Sequence, residues 1–206
     1  MEQGTAKLDM LHGSIWDKIL RFALPVAATA VLGQLFNASD VAVVGNFASG
    51  INLILGLFIG IALGTTVVIA NAIGSDDREG VQNAVHTSMV MAVVGGVIVA
   101  IIGELMAGGL LTLLKVPEDV YPLSLLYLRI YFLGMPAILL YNFEAAIFRS
   151  IGETKVPLIA LASSGVLNVL LNLVFVLGFD MTVNGVAIAT VLSNVVSSII
   201  LYRRLR

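Results

Sequence analysis

Polar and charged residues fall in short clusters along this chain, and six long apolar stretches run between them. The stretches cover about 15–47, 51–73, 84–114, 121–149, 156–178 and 183–203. A membrane-spanning helix needs about 20 mainly apolar residues, and every stretch is long enough. None alternates apolar and polar positions as barrel strands do. The pattern therefore predicts six transmembrane helices, the only other spanning solution being a closed barrel. Turn-forming clusters at 74–80, 115–119, 152–157 and 178–181 separate the later spans, while the link at 46–50 is very short. Pro25 predicts a bend in the first span. Thr154 is the expected N-cap of the fifth, with Pro157 in its first turn.

The polar residues left inside the spans are few and regularly spaced. Gln34, Asn37 and Asp40 recur every three residues in span one. Ser164, Asn168 and Asn172 recur every four in span five, and Thr190, Asn194 and Ser197 or Ser198 form a stripe on span six. Such spacings hold each set on one helix face. A single Asn or Thr in such a stripe is more simply a hydrogen-bonding contact between helices than a ligand. Asp40 is different. A charge at the bilayer centre costs about 3 kcal/mol on insertion scales, and intramembrane acids mark ion or proton paths. Gly56, Gly60 and Gly64 lie four apart in span two and make a flat strip suited to close helix packing. The pairs Gly95-Gly96 and Gly108-Gly109 read as packing points or bends. Glu104, Arg129 and Glu144 also fall in apolar runs. Arg129 is expected to snorkel or pair, Glu144 to pair with Arg149 at a helix end, and Glu104 has no partner visible in the sequence.

Composition adds exclusions. The 206 residues are 59% hydrophobic and 12% charged, with mean hydropathy +1.02. Soluble domains carry about 25% charged residues, so the chain reads as an all-α polytopic membrane protein, one six-helix lobe over 1–206. A formal net charge of -2 argues against a nucleic-acid partner. No cysteine is present, and His12 and His86 make no metal-ligand spacing, so no metal or other cofactor is expected. No nucleophile–base set or phosphate-cradling loop is visible, which points away from an enzyme. Basic residues set the orientation. Lys7, Lys18, Arg21, Arg78, Arg149, Lys155, Arg203, Arg204 and Arg206 share one side, and only Lys115 stands on the other. Both termini are therefore expected to be cytoplasmic.

Three segments carry a family resemblance. They are Leu35-Phe36-Asn37-Ala38-Ser39-Asp40-Val41-Ala42-Val43-Val44-Gly45, then Tyr141-Asn142-Phe143-Glu144-Ala145-Ala146-Ile147-Phe148-Arg149-Ser150-Ile151-Gly152-Glu153-Thr154-Lys155-Val156-Pro157, then Asn184-Gly185-Val186-Ala187-Ile188-Ala189-Thr190. With six spans in this order, the chain resembles the amino-terminal half of the multidrug and toxic compound extrusion (MATE) transporters. The resemblance implies cation-coupled export of organic, often cationic, compounds across a plasma membrane such as the bacterial inner membrane. It places Asp40 as the first-helix coupling acid, with Asn168 and Thr190 in the same network. Many members carry an acid one turn after that asparagine, where this chain has Asn172.

The resemblance also implies two six-helix halves around a cleft, of which this chain supplies the first. A second lobe or a second copy of the chain would complete it, and the reading is of a truncated or partial transporter. The coupling ion is expected to be a proton rather than sodium. Asp40 would take it up, with Asn37, Asn168, Asn172 and Thr190 tuning the acid through hydrogen bonds. Gln34 and Asn194, on the same polar faces, are the candidates to meet substrate. Two rival readings are a lipid-linked saccharide flippase of the same superfamily and a non-transporting membrane subunit or remnant. The flippase would be expected to carry several basic residues in its pore, but only Arg129 lies well inside a span.

Overall fold

The computed structural model of the chain describes Leu24, Pro25, Ala28, residues 48–113 and residues 116–205, with side chains of the second segment described from Gly60 onward. The expected first span, with Gln34, Asn37 and Asp40, lies outside the described residues apart from Leu24, Pro25 and Ala28. So does the bend expected around Pro25. Six α-helices are described: α1 Ala48–Gly74, α2 Arg78–Leu113, α3 Tyr121–Leu133, α4 Met135–Ser150, α5 Lys155–Leu173 and α6 Val183–Leu205. A π-helical turn, Val174–Gly178, prolongs α5. There is no strand among the described residues. The protein is all-α and polytopic in the membrane.

Local chemistry sets the helix ends. Asp77 precedes α2 and caps it: its Oδ1 accepts the Gly80 N–H at 2.8 Å, satisfying one of the donors that a helix start leaves open. Gly152 ends α4 in the left-handed region at φ 79. Its N–H bonds to the Arg149 carbonyl at 3.1 Å, and the Glu153 N–H to the Phe148 carbonyl at 2.9 Å. These are the two bonds of a Schellman cap, which only a residue free of a Cβ closes cheaply. Thr154 stands at the N-cap position of α5, but its side chain makes no capping bond. Its Oγ1 is instead buried without a partner.

Hydropathy alone reads 121–149 as one span, yet the structure breaks it. α3 and α4 meet at Gly134 with a bend of 49°. Pro136 explains the break: it has no N–H for the Phe132 carbonyl, and its ring crowds that carbonyl. The Gly134 N–H still finds the Ile130 and Tyr131 carbonyls, at 3.2 and 3.1 Å.

α4 is the central element, packed against α1, α2 and α6, while α5 lies along α6 and α3 sits against α2 and α6. Two clusters fill the interior. Tyr127, Tyr131, Phe132 and Met135 meet Leu111 of α2 and Val186 of α6 around the break. Tyr141, Ala145 and Phe148 meet Ala160 of α5 and Leu201 of α6 at the other end of α4. Val90, Met91, Val94, Val97, Ile98 and Ile101 of α2 are exposed, a face suited to lipid.

The glycines divide. A Cβ on Gly96 would overlap the Cα of Pro136, and one on Gly103 would overlap the Phe132 ring. Both let α2 approach the broken span closely. Gly60 and Gly64 of the expected α1 packing strip are exposed, and a Cβ there would meet nothing within 4 Å. Gly56 lies in the same helix, ahead of the described side chains. Gly96→Val is therefore expected to destabilise the protein by about 1–3 kcal/mol, the usual cost of overpacking. Gly109→Val, at an exposed site where a Cβ meets nothing within 4 Å, should be close to neutral. Thermal melts in detergent compare the two. Equal melting temperatures would contradict the packing role of Gly96.

Candidate functional site

The polar stripes of α5 and α6 face each other. Antiparallel neighbours place the middle of one helix beside the middle of the next, and side chains four apart extend the contact by a turn. Asn168 Nδ2 donates to Thr190 Oγ1 at 3.3 Å, joining the two helices. Asn172 Nδ2, one turn further along α5, donates to Asn168 Oδ1 at 3.0 Å. Thr190 Oγ1 donates to its own Val186 carbonyl at 3.0 Å, and Asn194 Nδ2 donates to the Thr190 carbonyl at 2.9 Å. Nearer the α5 start, Ser197 Oγ donates to Ser164 Oγ, and both serines are buried. The stripes thus act as hydrogen-bonding contacts between helices. Double-mutant cycles in a membrane protein put such bonds at about 0.6 kcal/mol on average.

One atom is not accounted for by packing. Asn172 Oδ1 is buried and accepts no hydrogen bond from the described residues. An unmet buried acceptor costs roughly 1–3 kcal/mol. What satisfies such an oxygen is a hydrogen-bond donor or a cation. Asn168, Asn172, Thr190 and Asn194 are all half-buried rather than sealed in the core. Gln34, Asn37 and Asp40, the other half of the expected site, lie outside the described residues. The π-helical turn at Val174–Gly178 begins two residues after Asn172. Such turns occur frequently at functional sites, and no residue pattern in the chain announces this one.

Other intramembrane charges fall differently from expectation. Glu104 of α2 finds Arg129 of α3, with Oε2 and Nε 3.6 Å apart. Sequence spacing could not show this pair, because the two residues lie on different helices. The expected Glu144–Arg149 pair is corrected by the structure. Among the described residues both carboxylate oxygens of Glu144 lack partners, as does Arg149 Nε. The reason is geometric: residues five apart on a helix point about 140° from one another, whereas pairs meet at three or four. His86, near the start of α2, is exposed. Among the described residues there is no group of three or more His, Asp or Glu side chains that could hold a metal ion.

A helical bundle of apolar spans with a half-buried amide–hydroxyl network between two of them defines a polytopic membrane protein with a polar interior. The MatE family model matches residues 14–174, and the chain belongs to that family. It is 30% identical over 209 residues to the probable multidrug resistance protein YoeA of Bacillus subtilis (strain 168), an alignment covering 94% of this chain and 45% of that protein. It is 27% identical over 198 residues to the probable multidrug resistance protein YpnP of the same organism, covering 90% and 44%. Among solved structures, a crystal structure of MATE in the bent conformation matches with TM-score 0.87 at 25% identity, over 98% of this chain and 47% of that one. The chain therefore spans about half the length of the curated relatives it matches.

Proposed function

We propose that this chain is one lobe of a cation-coupled exporter of organic, often cationic, compounds, and that the coupling ion is a proton. Membership of the MatE family supports transport, and the names of the relatives, multidrug resistance proteins, support drugs as cargo. The observation that carries the ion assignment is the orphaned Asn172 Oδ1 beside the Asn168–Thr190 bridge. A protonated Asp40 has an O–H to donate to such an oxygen, and an ionised one has none. Protonation would thus close the amide network and remove the charge from the apolar span. Deprotonation would open it, and alternation between two packings moves the substrate face. Asn37 belongs to this ion set, and Gln34 and Asn194 to the cargo side.

The cleft needs a second six-helix unit, either a further lobe or a second copy of this chain, since halves of such transporters can share one membrane orientation. The basic residues at the start of α2, the end of α4, the start of α5 and the end of α6 support termini on the cytoplasmic side of a plasma membrane.

The test is dye efflux from preloaded cells of a pump-deficient host carrying a chimera of this chain with the complementary half of a relative. Efflux should stop when the proton gradient is collapsed and persist in sodium-free buffer. Efflux that survives loss of the proton gradient but needs sodium would sink the assignment of the ion. No efflux from a chimera shown to be folded in the membrane would sink the transport reading.

A further inference from the structure

A second acid lies apart from the network just described. Glu144 belongs to α4, the central helix, six residues before its last residue, Ser150. It is 0% exposed, one of the largest fully buried side chains of the described residues. Neither of its carboxylate oxygens has a hydrogen-bond partner among the described residues. Ser198 of α6, itself buried, approaches the carboxylate without completing a hydrogen bond of good geometry.

Among the described residues, the other groups around it do not supply a countercharge. On α4 itself, Tyr141 precedes it by three residues and its hydroxyl is also unpartnered, while Arg149 follows by five. The described part of α1 has no charged residue, and contributes Thr66, whose hydroxyl bonds to the Ala146 carbonyl at 3.3 Å. Arg78, Glu79 and His86 of α2, Lys155 of α5, and Arg203 and Arg204 of α6 are all exposed. Glu104 of α2 is taken by Arg129 of α3. Phe143, Ala145 and Ala146 beside it on α4 are buried hydrophobics.

Burying an ionised carboxylate without a partner costs several kcal/mol even after relaxation. That is a large share of a domain's whole stability. A bound metal cation would need several oxygen ligands, and among the described residues Glu144 belongs to no group of three or more His, Asp or Glu side chains that could hold one. A proton needs one oxygen. We propose that Glu144 is a proton-binding site in its own right: a carboxylic acid kept neutral by its burial in the α4–α6 contact, with no hydrogen-bond partner for either oxygen among the described residues. It is separate from the Asn168–Thr190 network, since it sits on another helix and makes no contact with those residues through any hydrogen bond. Ionising it requires water to reach the α4–α6 contact, so proton loss and opening of that contact go together. The site stands whether or not the chain exports anything.

Infrared spectroscopy of the full chain in nanodiscs at neutral pH reads the site directly. A neutral carboxylic acid gives a carbonyl band well separated from the carboxylate bands, and the band shifts in heavy water. The natural chain should show such a band, Asp40→Asn should keep it, and Glu144→Gln should lose it. Ser198→Ala should keep the band but shift its frequency, because the hydroxyl on the facing helix is gone. Should Glu144→Gln fail to fold, Glu144→Met is the substitute, and the same loss is required of it. A natural chain with no such band at neutral pH overturns the proposal. So does a band that survives replacement of Glu144, or one that disappears in Asp40→Asn alone.

Discussion

In a pH titration of a fluorescent probe placed beside the first span, Asp40→Asn is expected to abolish the transition shown by the natural chain. The argument begins with cost. An acid in a run of valines, alanines and leucines is worth about 3 kcal/mol of insertion free energy when charged, and none of that is owed by the amide. The structure adds a receiver. Asn172 Oδ1 is a buried acceptor without a donor among the described residues, one turn from the Asn168–Thr190 bridge. On the proposed function a proton on Asp40 provides that donor, so the surroundings of the probe should depend on whether the proton is present. An asparagine at position 40 offers an N–H at every pH and holds one packing throughout. The probe should then report a flat line where the natural chain shows a single transition. A transition of unchanged midpoint and amplitude in Asp40→Asn would remove Asp40 from the mechanism.

How far the sequence could carry the reading depends on the range of each interaction. Apolar run length is a local property, and the runs at 84–114, 156–178 and 183–203 have helices α2, α5 with its π-helical turn, and α6 over them. The polar stripes of α5 and α6 were visible as spacings of four, but that Asn168 would meet Thr190, and Ser164 would meet Ser197, depended on how the two helices align. Glu104 shows the same limit more sharply. Its partner Arg129 lies 25 residues away on another helix, and no periodicity links them. The break at Gly134 had a sequence signal in Pro136, which a hydropathy reading of 121–149 passes over because proline does not lower the apolar content enough to divide the span. Glu144 was misread for a different reason. Closeness in sequence to Arg149 suggested a pair, while helix geometry turned the two side chains apart. The first span's polar face is legible in the sequence alone, with Gln34, Asn37 and Asp40 outside the described residues.

Asn172→Asp is expected to give the chain a saturable sodium response at fixed pH that the natural chain lacks. A sodium ion binds through several oxygens and gains from each negative charge near it. Two unit charges 4 Å apart interact by about 4 kcal/mol at an effective dielectric of 20, and about 1.4 kcal/mol changes an affinity tenfold. If Asp40 and position 172 share one site, as the proposed function has it, a second carboxylate there raises sodium affinity by more than about tenfold even after desolvation takes most of the gain. The site can accommodate the change. Asn172 now donates Nδ2 to Asn168 Oδ1 at 3.0 Å, and a carboxylate there would face that oxygen. Rotating the Asn168 amide by half a turn presents its N–H pair to the new acid. Its Oδ1 then faces Thr190 Oγ1, whose hydroxyl can leave the Val186 carbonyl, now 3.0 Å away, and donate to Asn168 instead. The loss is one hydrogen bond between α6 backbone and side chain, about 1 kcal/mol at most, smaller than the electrostatic gain. On the proposed function the same substitution brings a second acid to the Asp40 site, and like charges hold a shared proton more firmly than either would alone. The pH transition of the probe should therefore move upward in sodium-free buffer and return toward its original midpoint as sodium is added. A natural chain that already responds to sodium, or a folded Asn172→Asp variant that does not, would show that the amide at 172 is not what selects the ion.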